Sequence, residues 1–309
     1  MGRNALRLAL IGAGRWGKCY IATLTEMTDV ELVTLVSRRA ESRNLVGPNC
    51  SIASDWRDVM KDPGIDGIII ATPPATHFEI ARAAIIAGKP VLVEKPLTLD
   101  ADEAQALLVL AKETNVPVLV DHTHLYSPAY QGLKAALDRI GSIQEIHSSG
   151  GNRGPVRSDT PVLWDWAPHD LAMCLDVVGE DPVDVQAECM ERKRLDGNMG
   201  ERVRIMLGFP SGVRAYVEVS NISPIKVRRF EAIGVQGRLV YDDQAEDKLC
   251  IMDGTGNSSP LSISSDMPLS RAVDAFAELI KDCVARPQSL KLGVKITRLL
   301  ISCESQIRA

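Results

Sequence analysis

The sequence predicts an α/β domain built on a doubly wound parallel sheet, followed by an α+β domain with a large, mostly antiparallel open sheet. Three observations predict it. Apolar runs alternate with helical patterns from Leu6 to Val120, a glycine-rich turn follows the first run, and β-branched segments succeed one another beyond His122. The apolar runs Leu6–Ile11, Leu32–Val36, Gly67–Ala71, Val91–Val93 and Val116–Val120 are continuous, which marks strands buried on both faces. Helical patterns at Trp16–Met27, Ser54–Lys61, His77–Ala87 and Ala101–Glu113 fit between them. Gly88 stops the third helix, and Asp100 with Glu103 forms a capping box that starts the fourth.

Beyond His122, helices at Ala129–Arg139 and Asp165–Val178 lead into five strands. These are Val183–Arg194, Glu201–Gly208, Val213–Ser220, Arg228–Gly234 and Arg238–Asp242, separated by turns such as Pro210-Ser211-Gly212. Strands that follow one another without helices between them imply antiparallel pairing, with helices on one face of the sheet. Asp253–Asp266 reads as a loop, and helices at Ser270–Arg286 and Gly293–Arg308 close the chain. The expected domains are 1–121 and 122–309, with ligands bound in the crevice between them.

Composition narrows the function. A chain of 309 residues can build two cores, and 45% hydrophobic with 24% charged residues is ordinary for a globular protein. The net charge of −5 argues against a nucleic-acid partner. Of the short basic runs, Arg192-Lys193-Arg194 and Arg228-Arg229 read as solvated surface. The seven cysteines are scattered without a C-x-x-C pair, so reduced thiols and a cytoplasmic setting are expected. No apolar run approaches the roughly 18 residues of a membrane span.

Gly12-Ala13-Gly14-Arg15-Trp16-Gly17 follows the first strand and opens the first helix. In that position each glycine has a reason: a tight turn, close approach to a pyrophosphate, and close helix–strand packing. The first domain is therefore expected to be a Rossmann dinucleotide-binding domain. At the tip of the second strand Ser37-Arg38-Arg39 stands where an NAD-preferring domain carries Asp or Glu. Two guanidinium groups suit a 2′-phosphate, so NADP(H) is the preferred cofactor and NAD(H) the alternative.

Further along, Thr72-Pro73-Pro74, His77 and Glu94-Lys95-Pro96 complete a pattern that resembles the Gfo/Idh/MocA family (glucose–fructose oxidoreductase, inositol dehydrogenase, rhizopine catabolism). The likeness runs along essentially the whole chain and is strongest over residues 6–100. It implies that Thr72, Pro73, His77, Glu94 and Lys95 border the cofactor and that Lys95 is also catalytic. A lysine at the C-terminal edge of a parallel strand stands on the ligand-binding rim of the sheet, where its ammonium can polarise a reacting oxygen. Leu163-Trp164-Asp165-Trp166-Ala167-Pro168-His169-Asp170 resembles the family helix that carries a catalytic Asp and His. Asp165 and His169, four apart, share a helix face. Pro168 places the pair near the helix N-terminus, whose positive end lowers the proton affinity of a histidine. By resemblance His169 moves the hydroxyl proton and Asp165 orients it.

His124 and Tyr126 precede Pro128 where relatives line the crevice, although His124 replaces the more usual Arg. Arg153 and Arg157 lie in the loop before the catalytic helix and can reach an anionic substrate. His122 and His124 have metal-binding spacing but no third ligand, and no metal is expected. The reading is hydride transfer to or from a sugar, cyclitol or sugar derivative, nucleotide-linked sugars included. Homodimers or homotetramers through the second-domain sheet are expected by analogy. Two alternatives remain: an NAD-dependent glycosidase that uses transient redox chemistry, and a non-catalytic NADP-binding sensor.

Overall fold

The computed structural model describes residues 5–154, 156–157, 160–195, 197–283 and 286–308. Contacts divide it into two units. One runs to Asp121 and adds Leu269–Thr297; the other holds His122–Pro268 and the chain from Arg298 on.

In the first unit six parallel strands form one sheet: β1 (Leu6–Ile11), β2 (Val30–Val36), β3 (Ser51–Ala53), β4 (Gly67–Ile70), β5 (Val91–Glu94) and β6 (Val118–Asp121). Their order, β3-β2-β1-β4-β5-β6, reverses between β1 and β4, as double winding requires. Every residue of β4, β5 and β6 is buried, which explains why their sequences do not alternate. Helices α1 (Arg15–Glu26), α2 (Trp56–Lys61), α3 (His77–Ile86) and α4 (Ala101–Thr114) connect them. The stop at Gly88 is a left-handed glycine with φ +71°. Its N–H donates to Ile85 O at 3.0 Å and that of Lys89 to Ala84 O at 2.9 Å, so the last carbonyls of α3 are satisfied. Asp100 accepts from the N–H groups of Asp102 and Glu103 at the start of α4.

The second unit carries the helices α5 (Pro128–Ala135) and α6 (Val162–Val178). Its eight-stranded sheet comprises β7 (Ile143–Arg153), β8 (Asp184–Leu195), β9 (Asn198–Gly208), β10 (Arg214–Ser220), β11 (Ile222–Gly234), β12 (Gly237–Asp242), β13 (Leu249–Asp253) and β14 (Ser258–Pro260). The order is β14-β13-β12-β11-β7-β10-β9-β8. Every pairing is antiparallel except that of β7 with β10.

Sequence patterning does not reveal β7, although it lies in the middle of the sheet. Its Ser148-Ser149-Gly150-Gly151 stretch looks like loop. The glycines are there because neighbours come too close for a side chain. A Cβ on Gly151 would meet Ser220 O at 2.4 Å, and one on Gly150 the Arg228 guanidinium at 2.9 Å. Likewise β14 falls inside the segment read as a loop.

Two helices end the chain, α7 (Pro268–Asp282) and α8 (Gln288–Arg308). The sequence reading keeps both in 122–309; the structure packs residues 269–297 on the first sheet. Gly67 of β4 leaves room for Phe276 and Ile280, and Gly293 of α8 lies against Leu97 and Val120. Leu290 and Val294 join the core cluster of the first sheet, and Ser289 Oγ accepts from Val120 N–H at 2.9 Å. These helices bury an apolar face that the parallel sheet would otherwise expose. Near the end of α8, Gln306 bonds Val185 O and Ala187 N–H and so satisfies part of the β8 edge.

Candidate active site

In the first unit α1 begins directly after the turn that closes β1, and its three glycines differ in what they permit. Gly12 has φ +108°, and a Cβ there would lie 2.5 Å from Ala71 O. A Cβ on Gly17 would lie 2.1 Å from Gly12 O. Gly14, the N-cap of α1, faces open space, with nothing within 4 Å of its Cβ position. A helix N-terminus without a side-chain cap presents N–H donors and positive potential to an anion. Arg15 is exposed beside it and Trp16 half-buried. This arrangement fits a dinucleotide pyrophosphate.

At the end of β2 the Ser37 hydroxyl bonds Ser42 Oγ at 2.7 Å and accepts from Arg39 N–H at 3.2 Å. Ser37 thus shapes the turn, and Arg38 and Arg39 stand exposed on it. Thr72 and Pro73 follow β4, where Thr76 Oγ1 donates to Thr72 Oγ1 or Pro73 O, both at 2.8 Å. His77, expected to border the cofactor, has no exposed surface. Its Nδ1 lies 2.9 Å from Pro96 O and its Nε2 2.9 Å from Thr72 O. Burial holds its proton affinity below the usual value, the two carbonyls opposing this. A neutral ring has one N–H to give, so it donates to one carbonyl at a time. His77 therefore lies between the Thr72 turn and the Lys95-Pro96 turn and joins them.

Lys95 follows the last residue of β5 and is 8% exposed; its bond to Pro96 is cis. Behind it lies a cluster in which only Glu94 has a sequence signature. Glu94 and Asp121 are paired in register on β5 and β6, and Tyr20 of α1 donates its hydroxyl to Asp121 Oδ2 at 2.5 Å. All three are buried. Burial, then the Asp121 charge, pushes the Glu94 carboxyl well above the carboxylate range, with Lys95 partly opposing. Burial and the same two acids raise the Tyr20 phenol. Tyr20 lies on the apolar face of α1 with Gly17, Ile21 and Leu24, where periodicity alone reads it as core.

In the second unit α6 starts at Val162, earlier than the sequence suggests, so Pro168 is inside the helix and not in its first turn. Asp165 remains in the first turn. His169 lies a turn further in, beyond the reach of the helix-end field, so the dipole argument for its proton affinity does not apply. His169 is buried, and its ring meets that of His124 edge to face, with centroids 4.7 Å apart. Tyr126 is half-buried in the same short helical turn as His124. Arg153 is exposed at the end of β7. Arg157, expected to clamp an anion, lies 3.7 Å from the Asp165 carboxylate.

The Arg228-Arg229 run is half misread as surface. Arg228 is 3% exposed, and its Nη1 reaches both carboxylate oxygens of Asp170 at 3.0 and 2.9 Å. Ser148 Oγ donates to the same carboxylate at 2.6 Å. Among the described residues no group of three or more His, Cys, Asp or Glu is placed to hold a metal ion. None of the described helices is long and apolar enough to cross a membrane.

Comparison with known proteins agrees with this architecture. Residues 6–122 match the Gfo/Idh/MocA family profile, described as an oxidoreductase family with an NAD-binding Rossmann fold, and residues 130–240 match the C-terminal domain of the same family. Inositol 2-dehydrogenase of Rhizobium meliloti is 26% identical over 91% of this chain and 88% of its own. UDP-N-acetylglucosamine 3-dehydrogenase of Acidithiobacillus ferrooxidans is 37% identical over 40% of this chain and 39% of its own. The crystal structure of an oxidoreductase from Magnetospirillum magnetotacticum MS-1 superposes with a TM-score of 0.90 at 44% identity, covering 97% of this chain and 99% of that one. With a glycine cradle on the Rossmann sheet, Lys95 at its rim and both family domains matched, the chain belongs to the Gfo/Idh/MocA family of nicotinamide-dependent oxidoreductases.

Proposed function

We propose that this protein is an NADP(H)-preferring dehydrogenase acting on a hydroxyl or keto carbon of a sugar, cyclitol or sugar derivative, nucleotide-linked sugars included. The observation that carries the reading is the frame around Lys95, which closes β5 on the same sheet as the open Gly14 cradle. The chemistry that a bound nicotinamide supplies is acceptance or return of a hydride. Gly12, Gly14, Arg15, Trp16 and Gly17 hold the pyrophosphate end. Exposed Arg38 and Arg39, with no carboxylate at the tip of β2, favour a 2′-phosphate.

Lys95 polarises the substrate oxygen and stabilises the negative charge that develops there. His169 takes the hydroxyl proton during oxidation and returns it during reduction, while Asp165 orients the imidazole. His124, Tyr126 and Arg153 contribute to substrate binding. The seven free cysteines support a cytoplasmic setting. A homodimer or homotetramer through the second sheet is part of the proposal, and the exposed Met190 on β8 supports it.

The test is a screen of sugars, cyclitols and nucleotide sugars with each cofactor, following reduced nicotinamide. NADPH is expected to bind more tightly than NADH, and one class is expected to give stoichiometric cofactor turnover. K95A and H169A should each lower kcat by about 10²–10⁴-fold, and H169A should leave the cofactor Kd unchanged. Full turnover in H169A overturns the acid–base assignment. Sugar cleavage without net cofactor change replaces the dehydrogenase reading with the glycosidase one.

A further inference from the structure

The helix that carries Asp165 and His169 raises a question that apolar packing does not answer. From Ala167 to Leu175 every residue of α6 is buried, so no side of that stretch is turned to solvent. Hydrophobic burial is non-directional, so apolar contact by itself gives little preference for one rotation of a helix buried on all sides. A turn of 100°, one residue's worth, would replace the 165/169 face by the 166/170 face. Something directional must choose between them.

Near the end of α6 Asp176 meets the Tyr130 hydroxyl and Lys134 of α5, and beside the 165/169 pair the residues on the second of those faces supply it. Asp170, fully buried, accepts from Arg228 of β11 and from Ser148 of β7. One turn earlier Trp166 lies against the same guanidinium, 5.3 Å from ring centroid to Cζ. Space for that guanidinium is made by Gly150, where a Cβ would come within 2.9 Å of it. A charge-assisted bond made with both oxygens of one carboxylate has a narrow geometric optimum, unlike an aliphatic contact.

We propose that Asp170, Arg228 and Ser148 are positioning residues that fix the rotation of α6 on its sheet and thereby aim the Asp165–His169 pair. This rests on the dehydrogenase reading above for its functional consequence, though not for its geometry. A buried ion pair is weak evidence for stability, because an apolar pair of similar volume often serves as well or better. That property separates aiming from holding together.

The experiment compares native protein, D170L/R228M, R228K and H169A. Each is labelled at histidine 13Cε1, and the five histidines are resolved by NMR with His169 identified from H169A. The double variant is expected to keep the native melting temperature within a few degrees. Its His169 signal should shift or broaden, its His124–His169 cross-peak should weaken, and kcat should fall at least tenfold with cofactor Kd unchanged. R228K keeps the cation and should lie between native and double variant. A double variant with native melting, a native His169 signal and cross-peak, and native kcat overturns the proposal. Should the double variant not fold, R228K with lowered stability but unmoved His169 signals overturns it equally. Active H169A would instead strike the dehydrogenase reading, whatever the clamp variants show.

Discussion

The two units each bury acidic side chains and surround them differently. Behind Lys95, Glu94 and Asp121 stand side by side in register, Tyr20 donates its hydroxyl to Asp121, and burial with the Asp121 charge pushes the Glu94 carboxyl well above the carboxylate range, Lys95 partly opposing. Under α6, Asp170 is as deeply buried but has a guanidinium on both oxygens and a hydroxyl besides. A buried carboxyl can thus be made tolerable by a proton or by a cation. The first solution responds to pH. The second holds a direction as well as a charge.

The contrast predicts unequal responses. Arg228→Met leaves the Asp170 charge buried without its cation, and should cost about 3–5 kcal/mol in urea unfolding; a loss below about 1 kcal/mol would mean that Asp170 is not held as an ion. Tyr20→Phe removes one hydroxyl donor from Asp121 and should cost about 1–3 kcal/mol by the same measurement. Unchanged stability there would show that Asp121 does not depend on the phenol.

Glu94→Gln should change least at acid pH, because an amide replaces an already neutral acid. An unfolded glutamate releases its proton near about pH 4.3. Folded Glu94 holds its proton to higher pH, so folded chains bind more protons above that point. The contribution of Glu94 to stability is complete below the unfolded value and is lost as pH rises through the folded one. Melting temperature against pH should therefore fall less steeply in Glu94→Gln than in native protein. Parallel profiles would place the ionisation elsewhere, and the two clusters would no longer differ in kind.

Most of the first unit was legible in the sequence because its signals are local. A parallel strand buried on both faces writes itself as a continuous apolar run, and Gly12 and Gly17 stand where the backbone forbids a Cβ. Asp100 and Gly88 mark helix ends through bonds to their immediate neighbours. The second unit was legible only in outline. Its central strand β7 gives up apolar side chains to make room for Ser220 and Arg228, so the patterning signal is lost where packing is tightest.

From residue order alone came the Rossmann sheet, the glycine cradle, the exposed arginines after β2 and the placing of Lys95 at a strand end. Each depends on residues within a turn or a strand of one another. The folded chain alone revealed that Tyr20 meets Asp121, that buried Arg228 and Ser148 both bond Asp170, that His77 joins two turns, and that residues 269–297 cover the first sheet. These partners are separated by many residues, and their meeting is set by strand register and helix rotation, which no local pattern specifies.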